Sequence, residues 1–77
     1  MNLAIYFDLQ GGFEDEALSL ARRLFAQLDE AIDSLAIIPT SDESLSLFLN
    51  GQLIHSMSQS GRAPRVSDLR ESRTLPG

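Results

Sequence analysis

Residues 2–13, NLAIYFDLQGGF, pass from an apolar run through a loop into an amphipathic segment, and their reading decides the fold. Asn2 to Phe7 has β-branched and aromatic members and ends at an acid and two glycines, as a buried strand does. Gly11 and Gly12 mark the turn. From Phe13 the apolar residues fall at 13, 17, 20, 21, 24, 25 and 28, the spacing of one helical face. Glu14, Asp15 and Glu16 occupy the first turn of that helix, where their charge complements the positive end of the helix dipole. The same three acids repel an anion, so the glycine pair is a poor phosphate cradle. The helix should stop near Asp29 to Ala31. Leu35 to Ile38, closed by Pro39, reads as a second buried strand, and strand, helix, strand in this length implies a right-handed parallel crossover.

After a polar loop, Thr40 to Glu43, two apolar stretches flank Asn50-Gly51, a strong signal for a two-residue hairpin with a type I′ turn. That turn sets Leu49 opposite Gln52, Phe48 opposite Leu53, Leu47 opposite Ile54 and Ser46 opposite His55. Leu45, Leu47, Leu49 and Ile54 then form a floor for the helix stripe. Ser46, Phe48, Leu53, His55 and Met57 are expected on the other side, with Tyr6. Ser58 to Arg65 is a turn-rich connection, Val66 to Arg70 one helical turn, and Thr74 to Gly77 a frayed end.

Composition narrows the function. A chain of 77 residues buries a lower fraction of its surface than a larger one and commonly relies on disulfides, a metal or a partner. There is no cysteine and His55 is the sole histidine, so disulfides and thiolate metal sites are excluded, and no cofactor or metal is expected. Residues 1–60 hold nine acids against two arginines, while residues 61–77 hold four arginines and two acids. An acidic body argues against nucleic-acid binding, which needs clustered cationic surface. No signal-peptide pattern and no run approaching a membrane span is present, and a cytoplasmic protein is the expectation.

Three stretches carry a resemblance. They are Tyr6-Phe7-Asp8-Leu9-Gln10-Gly11-Gly12-Phe13, Leu49-Asn50-Gly51-Gln52-Leu53-Ile54-His55-Ser56, and Gly61-Arg62-Ala63-Pro64. In this order and spacing the chain resembles the selenoprotein W-related (Rdx) family of small thioredoxin-like proteins over roughly residues 2–71. The resemblance implies an α/β thioredoxin-like fold, β-α-β-β-β with a short final helix, whose four-stranded mixed sheet carries its helices on one face. It also implies a domain over residues 1–71 and a flexible tail over 72–77. Redox-active members carry Cys-x-x-Cys or Cys-x-x-selenocysteine in the first loop. Carried over, those positions fall on Asp8 and Gly11, neither of which forms a thiolate or a disulfide.

The chain is therefore expected to be a redox-inactive accessory subunit or adaptor with a protein partner, and not a thiol-disulfide oxidoreductase. Tyr6, Phe48, Leu53, His55 and Met57 on the sheet, with Arg62, Arg65 and Arg70 beyond it, are the candidate contact residues. The alternative is an oxidoreductase-related protein with a non-thiol site at the Asp8–Gly11 loop. Asp8 could serve there as a base or ligand, although an Asx turn explains it more simply.

Overall fold

The computed structural model describes residues 1–69. The element order is β1 (Asn2–Asp8), α1 (Glu14–Leu28), a 3₁₀ turn at Asp29–Ala31, β2 (Ser34–Thr40), β3 (Leu45–Leu49), β4 (Gln52–Ser56) and α2 (Met57–Ser60). The four strands form one mixed sheet in the order β2-β1-β3-β4. β1 lies centrally, parallel to β2 and antiparallel to β3. This is the expected α/β architecture. Arg70, the domain end at residue 71 and the 72–77 tail lie outside the described residues.

Period-two alternation in β1 sends Leu3, Ile5 and Phe7 to one face, where they are buried. Ala17, Leu20, Ala21 and Leu24 of α1 cover them, joined by Leu45 and Leu47 of β3. Leu49 and Ile54 pack against this core as expected, partly buried. Phe25 does not: it lies just outside the arc of buried helix positions and is 51 % exposed.

The β3–β4 turn has φ of 50° at Asn50 and 82° at Gly51, the two positive values a type I′ turn requires. Asn50 also fixes the sheet end. The amide of Asn2 donates to Asn50 Oδ1 at 2.9 Å, and the amide of Asn50 donates to the Asn2 carbonyl at 2.7 Å.

Three expectations are corrected. The register holds at Leu49–Gln52 and Phe48–Leu53, then slips, so that Leu47 faces His55 and Ser46 faces Ser56. One extra residue in β4 produces this bulge, which reverses the alternation beyond it. His55 consequently lies opposite the buried Leu47, and Met57 packs against the helix-side core instead of the open side. Second, β2 continues through Pro39 to Thr40. Pro39 is tolerated because β2 is an edge strand, where a missing donor need not leave a gap in the ladder. Third, Met57–Ser60 forms a short helix, taking Met57 from the end of the expected hairpin strand and Ser58–Ser60 from the expected turn-rich connection, and it is ended by Gly61 at φ 81°.

Residues 66–69 are helical, and Val66 and Leu69 are buried in the same core as α1. The described C-terminal segment thus closes the helix side of the sheet, leaving Phe48 and Leu53 beyond its cover.

Candidate functional site

The loop after β1 is organised by Asp8. Its Oδ1 accepts the Gln10 amide at 3.1 Å, the Asx-turn arrangement, while its carbonyl accepts the Phe13 amide at 3.3 Å. The Gly12 amide donates to the Leu9 carbonyl at 3.2 Å, and Gly12 sits at φ 81°, where L side chains are strained. At Gly11 the constraint is contact. A Cβ there would lie 3.1 Å from both Asp8 Oδ2 and the Phe13 ring. Beside the loop is a shallow depression of about 250 Å³ lined by Asp8, Leu9, Gln10, Pro39, Thr40 and Ser41. The polar side chains of its lining are one carboxylate, already holding a backbone amide, Thr40, whose Oγ1 accepts the Asp42 amide at 3.2 Å, Ser41 and Gln10. With no imidazole, thiol or second carboxylate in that lining, it lacks the paired groups of acid-base or nucleophilic chemistry. Among the described residues no group of three His, Cys, Asp or Glu could hold a metal ion.

The sheet face opposite α1 is the second feature. Tyr6 and Phe48 meet edge to face, ring centroids 5.1 Å apart at 65°. The register places Ile38 beside Tyr6, Ala4 between Ala36 and Phe48, and Leu53 opposite Phe48. Leu53 is 39 % exposed. Toward the β4 end Glu43 Oε2 accepts the hydroxyls of Ser56 at 2.9 Å and Ser58 at 2.8 Å. Between Tyr6 and Ser56 lies Ser46, fully buried, whose Oγ has no hydrogen-bond partner among the described residues. An unpaired buried hydroxyl carries a desolvation cost. Ser46→Ala is accordingly expected to leave stability unchanged or raise it by up to about 1 kcal/mol; a loss beyond 1 kcal/mol in urea unfolding would show that the hydroxyl is satisfied.

His55 belongs to a different cluster. Its Nε2 is 2.7 Å from Ser60 Oγ and 3.0 Å from the Arg62 carbonyl, and its Nδ1 is 3.7 Å from Asp68 Oδ2. Asp68 is buried and receives Arg62 in a fork, Nη2 to Oδ1 at 2.7 Å and Nη1 to Oδ2 at 3.2 Å, plus the Arg65 amide at 2.7 Å. The Arg62 hydrogen bond holds the Asp68 carboxyl below its usual range, assisted by the Arg65 amide and by His55, while burial opposes the shift. Ser60, His55 and Asp68 thus stand in the order of a nucleophile, a base and an orienting acid. They do not act as one. The His55–Asp68 separation is too long for a hydrogen bond, Asp68 is occupied by Arg62 and Arg65, and the Ser60 hydroxyl donates to the Arg62 carbonyl at 3.0 Å. The cluster is a clamp that ties the C-terminal segment to β4 and α2.

The candidate contact residues therefore divide. Tyr6, Phe48 and Leu53 share the open sheet face, whereas His55 and Met57 turn inward. Arg62 is engaged in the clamp, and Arg65 lines a depression on the helix layer with Arg23, Gln27, Val66 and Ser67. Arg70 lies outside the described residues. Sequence reasoning missed Ser60 and Asp68 as partners of His55. They come from separate turns that no periodicity links.

Together the fold and the loop define a thioredoxin-like domain without thiols. Solved structures share this fold over most of the chain. A selenoprotein W-related protein from Vibrio cholerae superposes with a TM-score of 0.79 at 24 % identity, covering 91 % of this chain and 88 % of its own. A protein from Bordetella parapertussis superposes with a TM-score of 0.78 at 18 % identity, covering 91 % of this chain and 89 % of its own. No protein-family profile and no curated protein sequence matches the chain.

Proposed function

We propose that this chain is a redox-inactive relative of the selenoprotein W-related proteins, and that it works in the cytoplasm as an accessory subunit or adaptor in a larger complex. The observation that carries this reading is the apolar sheet face opposite α1, where Tyr6, Ile38 and Phe48 are half-buried and Leu53 is exposed. Grouped apolar residues on an exposed face mark interaction sites. The first loop supports the same reading from the other direction, since Asp8 and Gly11 stand where the family's redox pair would be and the chain contains no cysteine. Thiol exchange needs a thiolate, so what this fold can still offer is its surface.

The oxidoreductase-related alternative rests on the depression beside Asp8. Asp8→Ala would abolish any turnover located there, and a reaction that survives the substitution excludes that site.

Native mass spectrometry of the tagged protein purified from its source cell is expected to show a stoichiometric protein partner. Leu53→Glu should reduce the recovered partner at least tenfold while the isolated domain keeps its unfolding midpoint, because Leu53 is already partly solvated and contributes little to the core. Recovery of the chain only as a lone monomer overturns the reading.

A further inference from the structure

The depression on the helix layer draws its lining from two parts of the chain. Arg23 and Gln27 stand one turn apart on α1, while Arg65, Val66 and Ser67 lead into the last described helical residues. All four polar members of this lining can donate hydrogen bonds, two of them are cations, and none is a carboxylate. In a chain with eleven acids against six arginines, that patch is charged against the rest of the molecule.

No described acid neutralises it. Among the described residues neither Arg23 nor Arg65 forms an ion pair. Asp68 follows Ser67 in sequence, but its carboxylate is buried, and both oxygens are taken by the Arg62 guanidinium and one also by the Arg65 amide. On α1 the acids nearest Arg23 in sequence are Glu16 and Asp29, about 9–10 Å away along the axis and close to the screening length of physiological salt. Both cations are also anchored. Arg23 Nε donates to the Ser19 carbonyl at 3.4 Å, leaving the two Nη groups unengaged among the described residues. Arg65 starts from a backbone fixed between the buried Pro64 and Val66, with its amide donating to Asp68 at 2.7 Å.

Size and charge select the ligand. A depression of about 280 Å³ falls short of the roughly 300–1,000 Å³ clefts that bury a drug-sized molecule, so a nucleotide or an organic cofactor is too large for it. A monocarboxylate is satisfied by one guanidinium fork. Two guanidiniums from separate elements match a group with three terminal oxygens and close to two negative charges. We propose that Arg23 and Arg65, assisted by Gln27 and Ser67, bind a phosphate monoester dianion in this depression. The site lies on the α1 side of the sheet, away from Tyr6 and Phe48, and does not rest on the adaptor reading. A free phosphate ester and a phosphoserine of another protein carry the same group, and the test separates them.

Titration of the full chain with inorganic phosphate, chloride holding the ionic strength constant, is expected to give saturating amide NMR shifts at Gln27, Val66 and Ser67. Acetate should bind at least fivefold more weakly. Arg23→Gln and Arg65→Gln should each weaken phosphate binding at least fivefold at an unchanged unfolding midpoint, since both side chains are exposed and lose no ion pair. Arg22→Gln removes the neighbouring exposed arginine outside the lining and should leave binding unchanged. A short phosphoserine peptide that binds at least tenfold tighter than inorganic phosphate would put the group on a protein; equal affinity would put it on a small ester. Shifts that do not saturate, that acetate reproduces, or that survive both lining variants would overturn the site, as would an equal loss in Arg22→Gln. Shifts that appear only after Glu71→Gln would give the arginines to the chain's own acid and overturn it too.

Discussion

Asp68→Ala is expected to lower the unfolding free energy by about 2–4 kcal/mol, because it removes the buried acceptor of the clamp and with it the bonds from the Arg62 guanidinium and the Arg65 amide. Asp68 accepts both arms of the Arg62 guanidinium and the Arg65 amide, and it faces His55. The adjacent Val66 and Leu69 are core residues, so loosening this turn also loosens hydrophobic packing on the helix side. For a chain of 77 residues the total stability is about 4–11 kcal/mol, and the change is then a large share of it. A fall in Tm of about 10–20 °C is the corresponding thermal readout. The pH dependence has a definite sign. The folded state holds this carboxyl below its ordinary value, so the unfolded chain takes up a proton first as pH falls. Stability from Asp68 is fully present above the unfolded value of about 3.9 and is lost as pH drops through the lower folded value. Asp68→Asn should remove that acid-side slope. Urea midpoints of wild type and Asp68→Asn measured from pH 7 down to pH 2.5 should therefore converge toward the acid end; parallel curves would show that the carboxylate is not what holds the clamp.

This clamp also marks where the sequence stopped being informative. β1, α1 and the Asn50-Gly51 turn were legible because each is written in a local pattern: alternation around Leu3, Ile5 and Phe7, a helical stripe at Ala17, Leu20 and Leu24, and a turn dipeptide whose φ values are special. The positions of Asp8 and Gly11 in the first loop were legible in the same way, and the Asx turn at Asp8 follows from its side chain reaching the amide two residues on. Beyond Phe48 the pattern misled. A bulge needs only one unpaired residue, and nothing in Leu53-Ile54-His55-Ser56 distinguishes a regular strand from one with Ile54 in excess. The alternation beyond it reverses, which turns His55 to the helix side, and the strand itself ends before Met57, which opens α2. Asp68, Ser60 and Arg62 were illegible for a related reason. Their contacts with His55 join turns whose mutual placement depends on that bulge.

Asp8→Cys combined with Gly11→Cys is expected to close an intramolecular disulfide, turning a chain with no thiol chemistry into one that carries a dithiol couple. The geometry of the loop supports this. A Cβ at position 11 would lie 3.1 Å from Asp8 Oδ2, so the side chain at position 8 already points at the place where a cysteine at 11 would begin. A disulfide needs Cβ atoms about 3.5–4.5 Å apart and sulfurs about 2.05 Å apart, and replacing the Asp8 carboxylate by a single sulfur relieves the crowding that favours glycine at 11. The substitution has a structural cost. Asp8 surrenders its bond to the Gln10 amide, while Phe13 must shift slightly from the new Cβ, for a combined loss of about 1–3 kcal/mol in the reduced form. In oxidised glutathione buffer the folded double variant should lose about 2 Da, the two thiol hydrogens passing to glutathione as its disulfide is reduced. Dithiothreitol should reverse the change, and the bond should form within one molecule. Each single variant separates the causes: Asp8→Cys alone should show only a mixed disulfide with glutathione, and Gly11→Cys alone should unfold earlier than wild type. Two cysteines that stay reduced in the folded state, or that cross-link only between molecules, would falsify the claim that the loop retains the shape of a Cys-x-x-Cys site. Closure of the bond would instead show that the backbone of the first loop can hold a dithiol pair at positions 8 and 11.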